Sequence, residues 1–127
     1  LLARDLMTPN PLKVSVDTKI KDAAKIMCEN KIGSLLVIDS TGALRGIVTE
    51  RDVLCAAAKE GSSEQPIWTI MTENPVVVEM NAPIDEVIRK MTEIGVRHLP
   101  VVDEKGMPVG VISARDVLAA LRIFHEL

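Results

Sequence analysis

Hydrophobic and polar positions along this chain switch between two periods, and they do so twice in the same order. Short β-branched runs at Leu12–Val16, Leu35–Ile38 and Leu44–Val48 read as strands, and so do Val76–Met80, Leu99–Val102 and Val109–Ile112. Between them the spacing becomes helical. Ile20, Ala23, Ala24 and Met27 share one face, as do Ile84, Val87, Ile88 and Met91. Asp17 or Thr18 is the expected cap of the first helix, while Asn81 and Pro83 open the second. The turns Asp39-Ser40-Thr41-Gly42 and Asp103-Glu104-Lys105-Gly106 join strand pairs into hairpins. A second helix closes each half, and in the last one Val117, Leu118, Leu121 and Phe124 fall on one face. Each half therefore predicts β-α-β-β-α, an α+β fold of α/β type.

The two halves are copies. Shifted by 64 positions, Met7–Ala56 aligns with Met71–Ala120 without a gap and shares 18 identities in 50 positions. Unrelated segments would share about three or four, given ordinary residue usage. The expected division is repeat one over 1–61, a polar connector over 62–66 and repeat two over 67–127. Each repeat opens on a proline-containing lead, Met7-Thr8-Pro9-Asn10-Pro11 or Met71-Thr72-Glu73-Asn74-Pro75, which favours extended chain. Neither half of about 60 residues buries much core alone, so the pattern predicts two units packed with pseudo-two-fold symmetry.

One stretch recurs with chemistry attached: Gly46-Ile47-Val48-Thr49-Glu50-Arg51-Asp52 and Gly110-Val111-Ile112-Ser113-Ala114-Arg115-Asp116. Each reads as a strand that becomes a helix at Thr49 or Ser113, with an aspartate three residues on. The first N–H groups of a helix lack internal partners and carry partial positive charge, so they attract anions. A neighbouring aspartate can accept hydrogen bonds from a pair of hydroxyls. Phosphate site beside diol site suits a ribonucleotide. The same spacing is also the capping-box signature, in which the carboxylate only satisfies a backbone N–H.

Composition narrows the classes. A net charge of −3 without a basic run makes nucleic acid an unlikely partner, and Trp68 and Phe124 are too few for a base-stacking platform. No apolar run approaches a membrane span, and no signal-peptide pattern appears. The chain opens on Leu1 rather than Met, as trimming upstream would leave it. Cys28 and Cys55 are too far apart in sequence for a zinc ribbon or a CxxC motif. Both are expected as buried, reduced thiols, which fits a cytoplasmic protein. The six methionines read as core filling.

Taken whole, the MTxNP leads, the strands Leu35-Leu36-Val37-Ile38-Asp39 and Leu99-Pro100-Val101-Val102-Asp103, and the two Gly-h-h-[Thr/Ser]-x-x-Asp endings resemble a tandem pair of cystathionine β-synthase (CBS) domains, a Bateman module, from about Arg4 to Phe124. The resemblance implies a regulatory module that binds AMP, ADP, ATP or S-adenosylmethionine in clefts between the repeats. It implies a nucleotide as regulatory ligand rather than a cofactor, a homodimer, and a fused or separate effector protein. Carried over by position, the first site uses Ile47, Thr49 and Asp52 with Thr72, Val76, Val96 and Arg97, and His98 close by. The second uses Val111, Ser113 and Asp116 with Thr8, Leu12, Ile32 and Gly33. Because Gly33-Ser34 becomes Arg97-His98, the site of Thr49, Asp52 and Arg97 is expected to favour phosphorylated ligands. The alternative is an interaction module that dimerises a larger protein without binding nucleotide.

Other residues carry weaker expectations. Arg51 and Arg115 either reach a phosphate, face solvent or make a dimer contact. His125 favours a helix C-terminus, and Glu29 and Glu93 belong to a solvated face. No metal site is expected. Catalytic signatures are missing too: there is no Gly-x-Ser-x-Gly elbow, His-Glu-x-x-His helix, phosphate loop or dinucleotide fingerprint.

Overall fold

A computed structural model describes residues 1–126, with side chains through Arg122. The elements run α1 (Ala3–Leu6), β1 (Thr8–Pro9), β2 (Lys13–Ser15), α2 (Ile20–Asn30), β3 (Ser34–Ile38), β4 (Leu44–Thr49) and α3 (Glu50–Ala57). Two 3₁₀ turns, Ser62–Glu64 and Ile67–Thr69, lead to β5 (Thr72–Glu73) and β6 (Val78–Glu79). The chain continues through α4 (Ile84–Ile94), β7 (His98–Val102), β8 (Pro108–Ser113) and α5 (Ala114–Glu126). The β-α-β-β-α order predicted for each half is present twice.

The chain divides into two compact units: unit I is Leu12–Pro75, and unit II is Leu1–Pro11 together with Val76 onward. In unit I the sheet order is β2-β3-β4-β5; in unit II it is β1-β8-β7-β6. Each parallel pair, β2 with β3 or β6 with β7, is bridged by a helix, α2 or α4. The hairpins β3–β4 and β7–β8 are antiparallel.

Each lead strand completes the sheet that holds the other repeat's hairpin: Thr72 pairs with Ile47 in unit I, and Thr8 with Val111 in unit II. Asn10 and Asn74 explain the switch. Both take left-handed backbone, at φ 50° and 45°. Asparagine tolerates that conformation, and the chain turns a corner there. The unit boundaries fall directly after those Asn-Pro pairs.

The hairpin turns are built alike. Asp39 Oδ1 accepts the N–H groups of Thr41 (2.9 Å) and Ala43 (3.2 Å), and Asp103 Oδ1 accepts those of Lys105 and Met107 (both 2.9 Å). Gly42 and Gly106 supply the positive φ that closes each turn. Gly46 and Gly110 serve a different end, since each lies under the methionine of a lead: Met71 in unit I and Met7 in unit II.

Unit I buries Val14, Ile20, Ala23, Met27, Leu35, Val37, Val48, Ala56 and Ile67 in one cluster. Unit II buries Ala3, Val78, Ala82, Val87, Met91, Leu99, Val101, Ile112 and Val117. The methionine expectation holds at Met27 and Met91, and Met7, Met71 and Met80 pack against these clusters.

Three local expectations are corrected. The cap of α2 is Lys19, not Asp17 or Thr18, because Thr18 N–H bonds to Ser15 O in a turn and its carbonyl accepts Ile67 N–H (2.6 Å). Cys28 and Cys55 are exposed. Each follows or precedes the residue that faces the core, Met27 or Ala56, and one residue is about 100° of helix turn. Among the described residues of the predicted face on α5, Val117 is buried while Leu118 is 67% exposed and Leu121 43%. The side chains of Phe124 and His125 lie outside the described residues.

Candidate functional site

The strand–helix junction is where each unit concentrates its predicted site residues. In unit I, β4 ends at Thr49, whose extended backbone (φ −109°, ψ 166°) makes it the N-cap of α3. Thr49 N–H donates to Asp52 Oδ2 at 2.8 Å, and the Thr49 hydroxyl donates to the same oxygen at 3.2 Å. In unit II, Ser113 N–H donates to Asp116 Oδ2 at 2.8 Å, and Asp116 N–H donates to Ser113 Oγ at 3.1 Å. The capping reading of the motif is therefore correct as far as it goes. Asp5 makes the same bond to Leu2 N–H at 2.8 Å on α1, away from either motif, so this bond alone does not mark a ligand site.

What the capping bond leaves over is the other carboxylate oxygen. Oδ1 of Asp52 and of Asp116 has no hydrogen bond among the described residues. Each aspartate is only half buried and is held in orientation by the bond to its Oδ2. A carboxylate so fixed loses little rotamer freedom on accepting a hydroxyl.

Strand alternation places the remaining residues. Ile47 and Thr49 point to the face of the unit I sheet opposite Val48, which lies in the helix-side core. Across the ladders, Ile47 meets Leu36 on one side and Thr72 on the other, while Thr49 meets Ser34. Gly33 reaches the same junction through its carbonyl, which accepts Glu50 N–H at 3.0 Å. Ile32 packs against the unit I core, and the carbonyl of Leu12 accepts Leu36 N–H (3.3 Å).

Unit II repeats this with other side chains. Val111 pairs with Thr8 and Pro100, Ser113 pairs with His98, and Arg97 O accepts Ala114 N–H at 2.8 Å. Val96 packs against that unit's core, and Val76 is exposed at the unit's edge. Unit I thus gathers Ile47, Thr49, Asp52, Thr72, Leu12, Ile32 and Gly33. Unit II gathers Val111, Ser113, Asp116, Thr8, Val76, Val96, Arg97 and His98.

Sequence reasoning passed over two pairs, Gly33 with Glu50 and Arg97 with Ala114, tied by one backbone bond at the first helical residue. Their differing charge at matched positions was the available signal. It also passed over an open cavity of about 370 Å³ in unit I, lined in part by Ile20, Asp52, Cys55, Lys59, Gln65 and Thr69. Arg51 and Arg115 are exposed in the first turns of α3 and α5. Among the described residues no three His, Cys, Asp or Glu cluster as metal ligands. No helix among them is long and apolar enough to cross a membrane.

Comparison with known proteins gives this geometry its relatives. The CBS domain family matches residues 3–59 and again 67–123. An uncharacterized 17.7 kDa protein of Acidianus ambivalens is 35% identical over 114 residues, covering 90% of this chain and 69% of that one. The L-aspartate semialdehyde sulfurtransferase of Methanocaldococcus jannaschii is 31% identical over 116 residues; 91% of this chain spans only 22% of that enzyme. Among solved structures, the CBS domain pair of protein MJ0100, in complex with 5-methylthioadenosine and S-adenosyl-L-methionine, superposes with a TM-score of 0.88 at 30% identity, covering 95% of both chains. CBSX2 in complex with AMP superposes with a TM-score of 0.84 at 31% identity, over 96% of this chain and 97% of that one.

Proposed function

Because this chain belongs to the CBS-domain family and carries two copies in tandem, we propose that it is a regulatory module binding an adenosine compound at its strand–helix junctions. The observation that carries the reading is the pair of pre-oriented aspartates, Asp52 and Asp116, each with one oxygen spent on capping and one available. That oxygen accepts a ribose hydroxyl. Thr49 or Ser113 and the first helical N–H groups attract the phosphate or other 5′ substituent. Ile47, Val111 and the neighbouring Thr72, Thr8, Leu12, Val76, Ile32 and Val96 supply the surroundings of the adenine. Adenosine ligands in the MJ0100 and CBSX2 structures support this assignment.

In this reading the chain performs no chemistry. Ligand stabilises one arrangement of the module, and a fused or separate effector reads the change; the shift equals the ligand's differential affinity for the two arrangements. Such a module works in the cytoplasm as an energy sensor when its ligands are AMP, ADP and ATP. A homodimer fits a specific observation: Leu54 and Leu118, equivalent in the two repeats, are 72% and 67% exposed.

A thermal-shift panel of AMP, ADP, ATP, S-adenosylmethionine and methylthioadenosine tests the reading. A ligand at one hundred times its Kd stabilises the native state by about 2.7 kcal/mol. At least one member should raise Tm in a concentration-dependent way. A flat panel, with calorimetry equally silent, rejects nucleotide binding and leaves the dimerisation module.

A further inference from the structure

The polar connector between the repeats forms the wall of a cavity. Where α5 runs on to Glu126, α3 stops at Ala57, and the chain returns through the 3₁₀ turns Ser62–Glu64 and Ile67–Thr69, the first of which packs against α2 and α3. Polar bonds pin that return. The Ser62 hydroxyl donates to Ala56 O, and Lys19 and Lys21 hold the Glu64 carboxylate at 2.8 and 2.6 Å. Ile20 N–H donates to Gln65 O at 2.9 Å, and the Thr69 hydroxyl donates to Pro66 O at 2.7 Å. Between this wall, the start of α2 and the length of α3 lies the open cavity of about 370 Å³, a size typical of small-molecule sites.

The lining is amphoteric. Asp52 and Lys59 stand about two helical turns, or roughly 10 Å, apart along α3 and its continuation. Oδ1 of Asp52, Nζ of Lys59 and the side-chain amide of Gln65 have no hydrogen bond or ion pair among the described residues. Ile20, Ala56 and Ile70 add apolar lining continuous with the unit I core. That core lies on the helix side of the sheet, while Ile47 and Thr49 point to the opposite face. Of the residues that sequence assigns to a ligand, Asp52 alone lines this cavity. Repeat two does not reproduce the charge pair, since Ile123 stands where repeat one has Lys59.

We propose that the cavity is a binding site in its own right for a small zwitterion, its ammonium on Asp52, its carboxylate on Lys59 and a short alkyl body between them. An ion of either sign gains one of these partners and is repelled by the other, whereas a zwitterion of matching length gains both. The pinned wall leaves little to order on binding. Because Asp52 also belongs to the strand–helix junction, an occupant here competes for the carboxylate offered there to a ribose. The inference does not rest on nucleotide binding.

The test uses the intact chain without added nucleotide and ε-aminocaproate as the probe, with hexylamine and caproate carrying one charge each. Cys55 lines the cavity and Cys28, near the far end of α2 from Ile20, does not, so the chain holds its own reporter and control. At twice its Kd, ε-aminocaproate should slow alkylation of Cys55 about threefold and leave Cys28 unchanged, as read by mass spectrometry. Calorimetry should find it bound about tenfold or more tighter than hexylamine or caproate, one charge-assisted bond being the difference. Lys59→Met keeps the stem and removes the charge; it should weaken ε-aminocaproate about tenfold and leave hexylamine unchanged, while Lys59→Arg retains most of the affinity. Lys59 is exposed, so the fold tolerates both. The inference is overturned if Cys55 reacts equally fast with and without ε-aminocaproate, if either singly charged compound binds as well, or if Lys59→Met binds all three as the parent does. A chain that binds no adenosine compound loses the reading above and keeps this one.

Discussion

Gly46→Ala measures how tightly the lead of one repeat is fitted to the hairpin of the other. A methyl carbon at Gly46 would lie 2.6 Å from Met71 Sδ, 2.9 Å from Met71 Cγ and 2.9 Å from the backbone oxygen of Thr72. Comfortable contact is about 3.5–4.0 Å, so every one of these is an overlap of half an ångström or more. The thioether can swing aside. The carbonyl cannot, because Ile47–Thr72 and Gly46–Glu73 are paired in the β4–β5 ladder. Overpacking of this kind costs about 1–3 kcal/mol. At about 4 °C per kcal/mol for a chain of this length, Tm falls by roughly 4–12 °C. Urea unfolding followed by Trp68, the single tryptophan and a unit I residue, gives the free energy directly. A double-mutant cycle with Met71→Ala should recover about 1 kcal/mol and no more, since the Thr72 carbonyl stays in place. At Gly110 the three nearest atoms all belong to the Met7 side chain, so Met7→Ala should recover most of the cost of Gly110→Ala. A Gly46→Ala protein within 0.5 kcal/mol of the parent, or a penalty unchanged by Met71→Ala, would refute this account of the glycines.

Asp52→Ala should weaken adenosine-ligand binding at its junction by about 10- to 100-fold, the value of one or two hydrogen bonds to a charged group; unchanged calorimetric titration would remove it from the ribose role. Lys31→Gly should stabilise unit I by about 0.5–1 kcal/mol, because Lys31 holds φ 53° where the equivalent Gly95 is free of the side-chain penalty. Denaturant midpoints that fall instead would show that Lys31 makes up the strain elsewhere. Glu64 accepts hydrogen bonds from Lys19 (2.8 Å) and Lys21 (2.6 Å), which hold its carboxyl at about 2 against an ordinary 4.5. The unfolded chain therefore binds this proton first: the contribution is present above pH 4.5 and lost as pH falls toward 2. Glu64→Gln should flatten the Tm profile across that window, by less at high salt; identical profiles for both proteins would contradict it.

Much of this molecule was legible because period and repetition are local properties of the chain. Ile20, Ala23 and Met27 turned inward as their spacing requires, and Asp39 and Gly42 closed the hairpin as their chemistry requires. The Thr49–Asp52 and Ser113–Asp116 junctions were legible for the same reason, down to the capping bond that one carboxylate oxygen of each aspartate accepts. What local pattern does not encode is the choice of partner. Thr8 and Thr72 read as extended chain, but only the ladders reveal which hairpin they join. Cys28 and Cys55 sit one residue from core positions, and a helix edge shared by apolar and polar residues does not announce its boundary. Arg97 is the clearest case. Its charge is plain in sequence, while its place beside the motif is set by a backbone bond to Ala114, seventeen residues on and across a hairpin.

The crossing of the leads has a consequence for any rearrangement of this gene. A break in the polar stretch between the repeats looks harmless, yet a product ending there carries β4 with its flank bare, because β5 is encoded downstream. Bare flanks of that kind recruit foreign strands. The segment that would travel with a complete four-stranded sheet is Leu12–Pro75, which begins and ends on the corner after an Asn-Pro step. Duplication that keeps each sheet whole is therefore expected to break at those Asn-Pro corners rather than within the polar stretch.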